Sequence, residues 1–275
     1  MNYETLSIEK TDHVATLTLN RPDRMNSFDS TMRGELSKAW DQLAQDEEVW
    51  AIVVTGAGDR AFCTGMDLRE APELARRKVT GEEDGRVRIT ALDCNVGKPI
   101  ITAVNGVCAG GGLAFVADSD VTLASTDAYF TDARTGAGQV SIHGTLRLAR
   151  KIPIEALFRL VMLGRSERVD AKRAYEIGLV SEVCDPALLM SRAMEVAQAI
   201  ASNSPGAVFH SRHAIWQSLN MGLDEALEMG WDVVTEFAKE STDAAEGARA
   251  FVEKRKPQWT YAAPPAQRDG KGGKP

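Results

Sequence analysis

Across residues 13–20 the chain alternates, with Val14, Thr16 and Thr18 set against Ala15, Leu17 and Leu19. A period of two predicts a half-buried strand, and the stretch 6–10 before it supplies an antiparallel partner. Trp50–Thr55 and Ile100–Val104 run apolar without alternating and lead into glycine, as strands buried on both faces do. Between the first pair and Trp50, the residues Met32, Leu36, Ala39, Trp40 and Leu43 recur at helical spacing within 29–46, with Asp29 or Ser30 as cap. Strands alternating with helices predict a layered α/β fold. From about Ile152 helical periods dominate, over 154–163, 171–176, 187–201, 207–219 and 223–238. In the last of these Leu223, Leu227, Trp231, Val234 and Phe237 form one apolar stripe, read as packing against another helix or subunit rather than as a cofactor box. No internal repeat is visible in the sequence, and the Pro-, Gly- and Lys-rich stretch 261–275 is expected to be a disordered tail.

Composition narrows the function classes. The chain has 275 residues, 44% of them hydrophobic, and a formal net charge of -7, opposite to the balance that phosphate neutralisation by a general nucleic-acid binder requires. No run of about 20 apolar residues exists to span a membrane, and the start lacks the regions of a signal peptide. Cys63, Cys94, Cys108 and Cys184 are scattered without CxxC spacing, which argues against zinc or a disulfide framework. A cytoplasmic protein without a bound metal is expected.

Candidate chemistry centres on two glycine-containing segments. Arg60–Leu68 contains Cys63-Thr64-Gly65-Met66-Asp67 and follows the 52–56 strand; Ala103–Ala114 contains Gly110-Gly111-Gly112 and follows the 100–104 strand. Each places backbone N–H groups where a strand gives way to a helix, and two that converge form an oxyanion hole for a carbonyl oxygen gaining charge. Neither segment fits GxGxxG, which disfavours a dinucleotide site.

Together with their surroundings these segments resemble the crotonase (enoyl-CoA hydratase/isomerase) superfamily. The matching pieces, in family order over roughly residues 3–260, are Leu19-Asn20-Arg21-Pro22 with Asn26-Ser27-Phe28, then Ala61–Leu68, then Lys98–Gly106 with the glycine triplet and Asp120. Gly144–Leu148, Ala171–Val180 and Ala250–Lys256 follow. The resemblance implies a spiral of β-β-α units, placed at 1–200, and a C-terminal helical region at 201–260 that makes trimers or pairs of trimers. It implies an acyl-CoA thioester as substrate, with coenzyme A arriving as part of that substrate and no permanently bound cofactor. By position the peptide N–H groups of Met66 and Gly111 form the oxyanion hole. Arg24, Met25 and the segment Thr64, Met66, Asp67 and Leu68 line the CoA channel, with Asp67 read as a loop support. Lys254 matches a basic position that reaches CoA across a subunit boundary, or is a solvated charge.

The departure from the family lies in the acid–base pair. Family hydratases carry a glutamate two residues after the glycine triplet and a second twenty residues further on; here these positions hold Ala114 and Arg134. Alanine cannot titrate and arginine stays protonated. Asp132 and His143 are the candidate replacements, each also readable as structural, Asp132 through pairing with Arg134. Arg134 is available to bind a substrate carboxylate, to steady an anion, or to form an ion pair. Gln139 and Ser141 sit in a stretch read as flexible, and Asp118 and Asp120 are read as structural carboxylates. Three functions follow as expectations: a superfamily enzyme working through a stabilised enolate without the usual glutamates, a conventional hydratase/isomerase with a substituted acid or base, or a non-catalytic acyl-CoA binder.

Overall fold

The computed structural model describes residues 2–80 and 88–260, so the predicted tail at 261–275 lies outside the described residues. Strands β1 (Leu6–Thr11) and β2 (Val14–Leu19) form the expected antiparallel pair, with Leu6 opposite Leu19. Helix α1 (Ser30–Gln45) starts at Asp29, whose carboxylate accepts from the Met32 N–H, which decides the cap in favour of Asp29. Its five predicted apolar positions are all fully buried. The buried Lys98 ammonium donates to the carbonyls of Leu43 and Asp46, satisfying the C-terminal end of α1. Burial lowers the Lys98 amine to about 8.

The rest of the core is a structural repeat. β3 (Ala51–Gly56) and β4 (Ala61–Cys63), β5 (Ile100–Val104) and β6 (Val107–Ala109), and β7 (Val121–Ser125) and β8 (Tyr129–Thr131) follow one another as strand pairs. In each pair the first strand joins a six-stranded sheet, ordered β1-β2-β3-β5-β7-β10, and the second joins a four-stranded sheet, ordered β4-β6-β8-β9. Here β9 is Val169–Asp170 and β10 is Glu182–Cys184. Helices α2 (Ala71–Val79), α3 (Leu113–Ala117) and α4 (Thr145–Leu148) come after successive pairs. This is the mixed α/β architecture that the resemblance implies.

Both faces of β3 are buried because each is covered. Ala51 and Val53 pack with Ala193 and Ala197 of α7 (Leu189–Ala201), whose small side chains suit a close helix–sheet contact, while Ile52 and Val54 face the main core with Trp40 and Phe62. Helices α5 (Ile154–Met162), α6 (Ala171–Glu176), α8 (Pro205–Ser218), α9 (Leu223–Glu240) and α10 (Asp243–Glu253) complete the chain within a residue or two of the predicted spans, α10 having no predicted counterpart. Among the described residues no helix is long and apolar enough to cross a membrane.

Two asparagines fix the loops that carry the site. Asn26 is fully buried with a positive φ of 52°, accepts from the Arg21 N–H and donates to the Ala57 and Ala61 carbonyls. Asn105 donates to the Gly56 and Gly58 carbonyls. Between them they hold the β3–β4 turn, and so the exit of β4. Asn26→Ala leaves three backbone groups without these partners, and a loss of roughly 2–4 kcal/mol is expected in urea unfolding. A loss below about 0.5 kcal/mol, the size of an ordinary surface change, contradicts this account of the loop.

Candidate active site

β4 and β6 are parallel neighbours, Ala61 opposite Val107 and Cys63 opposite Cys108, so the residues after them emerge side by side. These are Thr64-Gly65-Met66 and the tight turn Gly110–Gly112, which continues into α3. The approach is closer than any side chain permits. A Cβ on Gly65, whose φ is +86°, would lie 2.6 Å from the Gly111 nitrogen, and one on Gly112 would lie 2.2 Å from the Cys63 carbonyl oxygen.

A third segment pins the first. The Phe28 N–H donates to the Gly65 carbonyl at 2.8 Å, the Asp67 N–H donates to the Phe28 carbonyl at 3.0 Å, and both the amide and hydroxyl of Thr64 donate to the Met25 carbonyl at 3.2 Å. In this parallel bridge Met66 directs its own N–H away from Phe28. Gly111 lies in the first turn of its helix, where no intrahelical acceptor exists for its N–H. Among the described residues neither amide donates to a turn or loop carbonyl. Asp67 accepts from Arg69 and from Arg21, and the Arg69 hydrogen bond holds its carboxyl well below the usual range. Through Arg21 it ties the 64–68 segment to the turn that begins at residue 21.

Arg134 and Ala114 both lie at this turn. Arg134 lies over it, with its Cγ 3.8 Å from where a Gly110 Cβ would be. Its guanidinium forks onto both oxygens of Asp132, Nε and Nη2 each at 2.8 Å, and also donates to the His143 carbonyl and the Thr145 hydroxyl. Asp132 is fully buried and accepts a further bond from Ser141 at 2.5 Å. Burial pushes its carboxyl up, but the Arg134 and Ser141 bonds outweigh that and leave it below the ordinary value. The structure therefore gives Asp132 the ion-pair role rather than that of an exposed base. Ser141 is buried and doubly bonded, to Asp132 and Thr145, so this part of the predicted flexible stretch is a fixed element.

Gly144, with φ +76°, brings the chain back onto Ala114: a Cβ there would sit 2.7 Å from the Ala114 Cα. The backbone of His143 thus lies beside Ala114. Its Nε2 is 2.8 Å from Asp93, a residue the sequence reading missed because it lies 50 positions away in a turn without a motif. The Arg147 guanidinium contacts Asp93 and also Asp118, which takes the Thr90 hydroxyl as well. Burial pushes the Asp93 carboxyl up, yet His143 and Arg147 together hold it at about 2. Asp120 takes the Ile100 amide, Arg212 and Trp216, so both aspartates are structural, as expected.

Other candidates fall outside this cluster. Arg24 and Leu68 are exposed on the segments that flank it. Lys254 is exposed at the left-handed end of α10 and touches neither glycine segment among the described residues. Burial pushes the Cys63 thiol up to about 12 and Cys108 well above its ordinary value, which removes both as nucleophiles. A cavity of about 940 Å³ opens between residues 92–97, α4, α8 and α9; it shares Arg147 with the His143 network but contains none of the glycine turn.

The Arg134–Asp132 clamp has a measurable consequence. Removing one partner of a buried pair leaves the other charge uncompensated, which costs about 3–5 kcal/mol. Arg134→Glu, which reverses the charge facing Asp132, should therefore be destabilised by that amount or more in urea unfolding. Arg134→Lys keeps the charge without the fork and should lose less. A stable, unperturbed Arg134→Glu protein would show that the clamp carries little weight.

Comparison with known proteins agrees with this geometry. The sequence profile described as enoyl-CoA hydratase/isomerase matches residues 9–262. The chain is 34% identical to an (E)-benzylidenesuccinyl-CoA hydratase of Thauera aromatica, over 94% of this chain and 99% of that protein. It is 33% identical to a 1,2-epoxyphenylacetyl-CoA isomerase of Escherichia coli, over 90% and 95%. A crystal structure of an enoyl-CoA hydratase/isomerase from Mycobacterium paratuberculosis superimposes with a TM-score of 0.85 at 39% identity, covering 94% of this chain and 99% of that one. Fold, glycine turns and these matches together make the chain an enzyme of the enoyl-CoA hydratase/isomerase, or crotonase, family.

Proposed function

We propose that the chain binds an acyl-CoA thioester with its carbonyl oxygen between the N–H groups of Met66 and Gly111, and works through an enolate without the two usual glutamates. The observation that carries this is the side-by-side exit of β4 and β6, which presents two undonated amides next to one another. A thioester oxygen held by both gains charge as the α- or β-carbon reacts, and a preorganised donor of this kind is worth about 2.7–4 kcal/mol. The turn at Arg24 and Met25 and the segment Thr64–Leu68 flank the CoA portion, which enters and leaves with the substrate. Arg134 takes part through its clamp, holding the His143 carbonyl and the Thr145 hydroxyl near the glycine turn.

Assembly belongs to the same proposal. Leu223, Leu227, Trp231 and Val234 of α9 are each more than half exposed, an apolar stripe that a homotrimer or a dimer of trimers would cover. In that assembly Lys254 reaches the CoA of a neighbouring subunit, and the cytoplasm is the compartment where such a substrate is met. Light scattering at micromolar concentration should give a trimer or hexamer; a monomer overturns the assembly and the Lys254 role with it.

Two measurements test the site. Calorimetry with an acyl-CoA panel should show binding, while crotonyl-CoA hydration, followed by loss of enoyl-thioester absorbance, should be slow. General acid–base groups typically contribute about 10²- to 10⁴-fold, and both glutamates are absent. Fast hydration, or no binding to any thioester, contradicts the proposal. Gly111→Ala puts a Cβ 2.6 Å from the ring of Phe28, itself buried. The turn must then shift, and turnover of any accepted thioester should fall by about 10²- to 10³-fold, the effect of losing one oxyanion donor. Unchanged turnover would remove Gly111 from the site.

A further inference from the structure

We infer that His143 is the base that removes a proton from the α-carbon of the bound acyl group, and that Asp93 is its positioning residue, with Arg147 fixing Asp93 in turn. The inference rests on the proposed thioester site. Three observations on unconnected parts of the chain meet here.

The imidazole is held in a fixed orientation. Nε2 lies 2.8 Å from one oxygen of Asp93, whose other oxygen takes Arg147 at 3.1 Å. The side chain of Asp93 is 8% exposed, so this carboxylate is held from both sides and shielded from water. A carboxylate that accepts from one ring nitrogen leaves the lone pair on the other. That other nitrogen, Nδ1, has no partner among the described residues, and the His143 side chain remains 27% exposed, open to a solute.

The backbone that carries the ring also lies beside the glycine turn. Gly144 presses its backbone onto Ala114, and Ala114 lies three residues after Gly111 in the same short helical stretch. The His143 carbonyl is bonded to Arg134, the second substituted position. Residues 143 and 144 are therefore tied through their backbone to both Ala114 and Arg134. Neither of the other groups considered is free in this way: Asp132 is buried under four hydrogen bonds, and Arg134 is permanently charged.

The step balances without an added reagent. The Nδ1 lone pair takes the α-proton, and the electrons of the broken C–H bond pass into the enolate, whose oxygen charge faces the Met66 and Gly111 N–H groups. The imidazolium then returns the proton to the α-carbon or to a carbon conjugated with it. Asp93 stabilises the imidazolium between these two transfers. An isomerisation or a simple hydrogen exchange results, with no net gain or loss of atoms.

The readout is exchange of α-hydrogen for deuterium in heavy water, followed by mass spectrometry on each thioester of a panel that includes butyryl-CoA and phenylacetyl-CoA and shows heat of binding. The wild-type protein should exchange. His143→Ala should lose about 10²- to 10⁴-fold of that rate while keeping its thioester affinity, and added imidazole should return part of it. The backbone bond to Arg134 survives this change, and His143→Gln, which retains a donor toward Asp93, serves as a second variant with the same expected loss. Asp93→Asn should slow exchange with affinity retained and should not respond to imidazole, because the ring is still present. Exchange in His143→Ala and His143→Gln equal to wild type overturns the inference, as does a wild-type protein that binds a thioester and exchanges nothing. Absence of binding to every thioester instead overturns the site on which the inference rests.

Discussion

The contact between the exits of β4 and β6 is the constraint on which the site depends. Parallel strands deliver their following residues to the same edge of a sheet, but they do not bring two backbones within van der Waals distance unless side chains are absent. Gly65, Gly111 and Gly112 remove them at the points of closest approach, and Phe28 closes over Gly111 from the other side. The third strand-like segment, Met25–Phe28, takes up the amides of Thr64 and Asp67 and the carbonyl of Gly65, which leaves the Met66 amide pointing elsewhere. The polar groups left over are those of the candidate site.

The guanidinium at position 134 organises more than one residue around it. A charge this enclosed needs a partner, and Asp132 supplies both oxygens to it in a forked geometry. Ser141 and Thr145 fill the remaining positions and bond to each other, so the loop from 132 to 145 closes into one hydrogen-bonded unit. Arg134 and Asp132 are here part of a scaffold, and the His143 imidazole beside it is backed by its own carboxylate, Asp93. A second network, through Asp118, Thr90, Arg147 and Asp93, joins the end of α3 to the turn before β5. The two meet at residues 143–147, which makes this stretch the mechanical link between the glycine turn and the rest of the core.

Charge at the helix ends follows the same logic elsewhere. Lys98 sits at the end of α1 and Lys151 at the end of α3, where it donates to the Val116 and Ser119 carbonyls. Burial lowers both amines to about 8, a cost accepted because the alternative is a row of unsatisfied carbonyls. Helix α9 contrasts with these enclosed ends: its apolar stripe stays exposed, with Phe237 alone turned inward toward His210.

Local pattern determined the elements of this protein. The alternation at 13–20, the unbroken apolar runs at 50–55 and 100–104, and the α1 stripe each report a side-chain period set by a few neighbouring residues, and the observed spans agree with them to a residue or two. Ordered motifs determined the family. The β-β-α repeat was hidden because β4, β6 and β8 are three residues each, too short to carry a period. The sequence favoured a structural Asp132 paired with Arg134 and left His143 open between a base and a structural histidine, since a histidine beside a glycine has the same local signature in either role. Only the tertiary structure decided their partners, burying Asp132 beneath Arg134 and carrying Asp93 across 50 residues to His143. Hydrogen bonding between side chains distant in sequence depends on how the layers close on one another, and no stretch of the chain encodes that closure by itself.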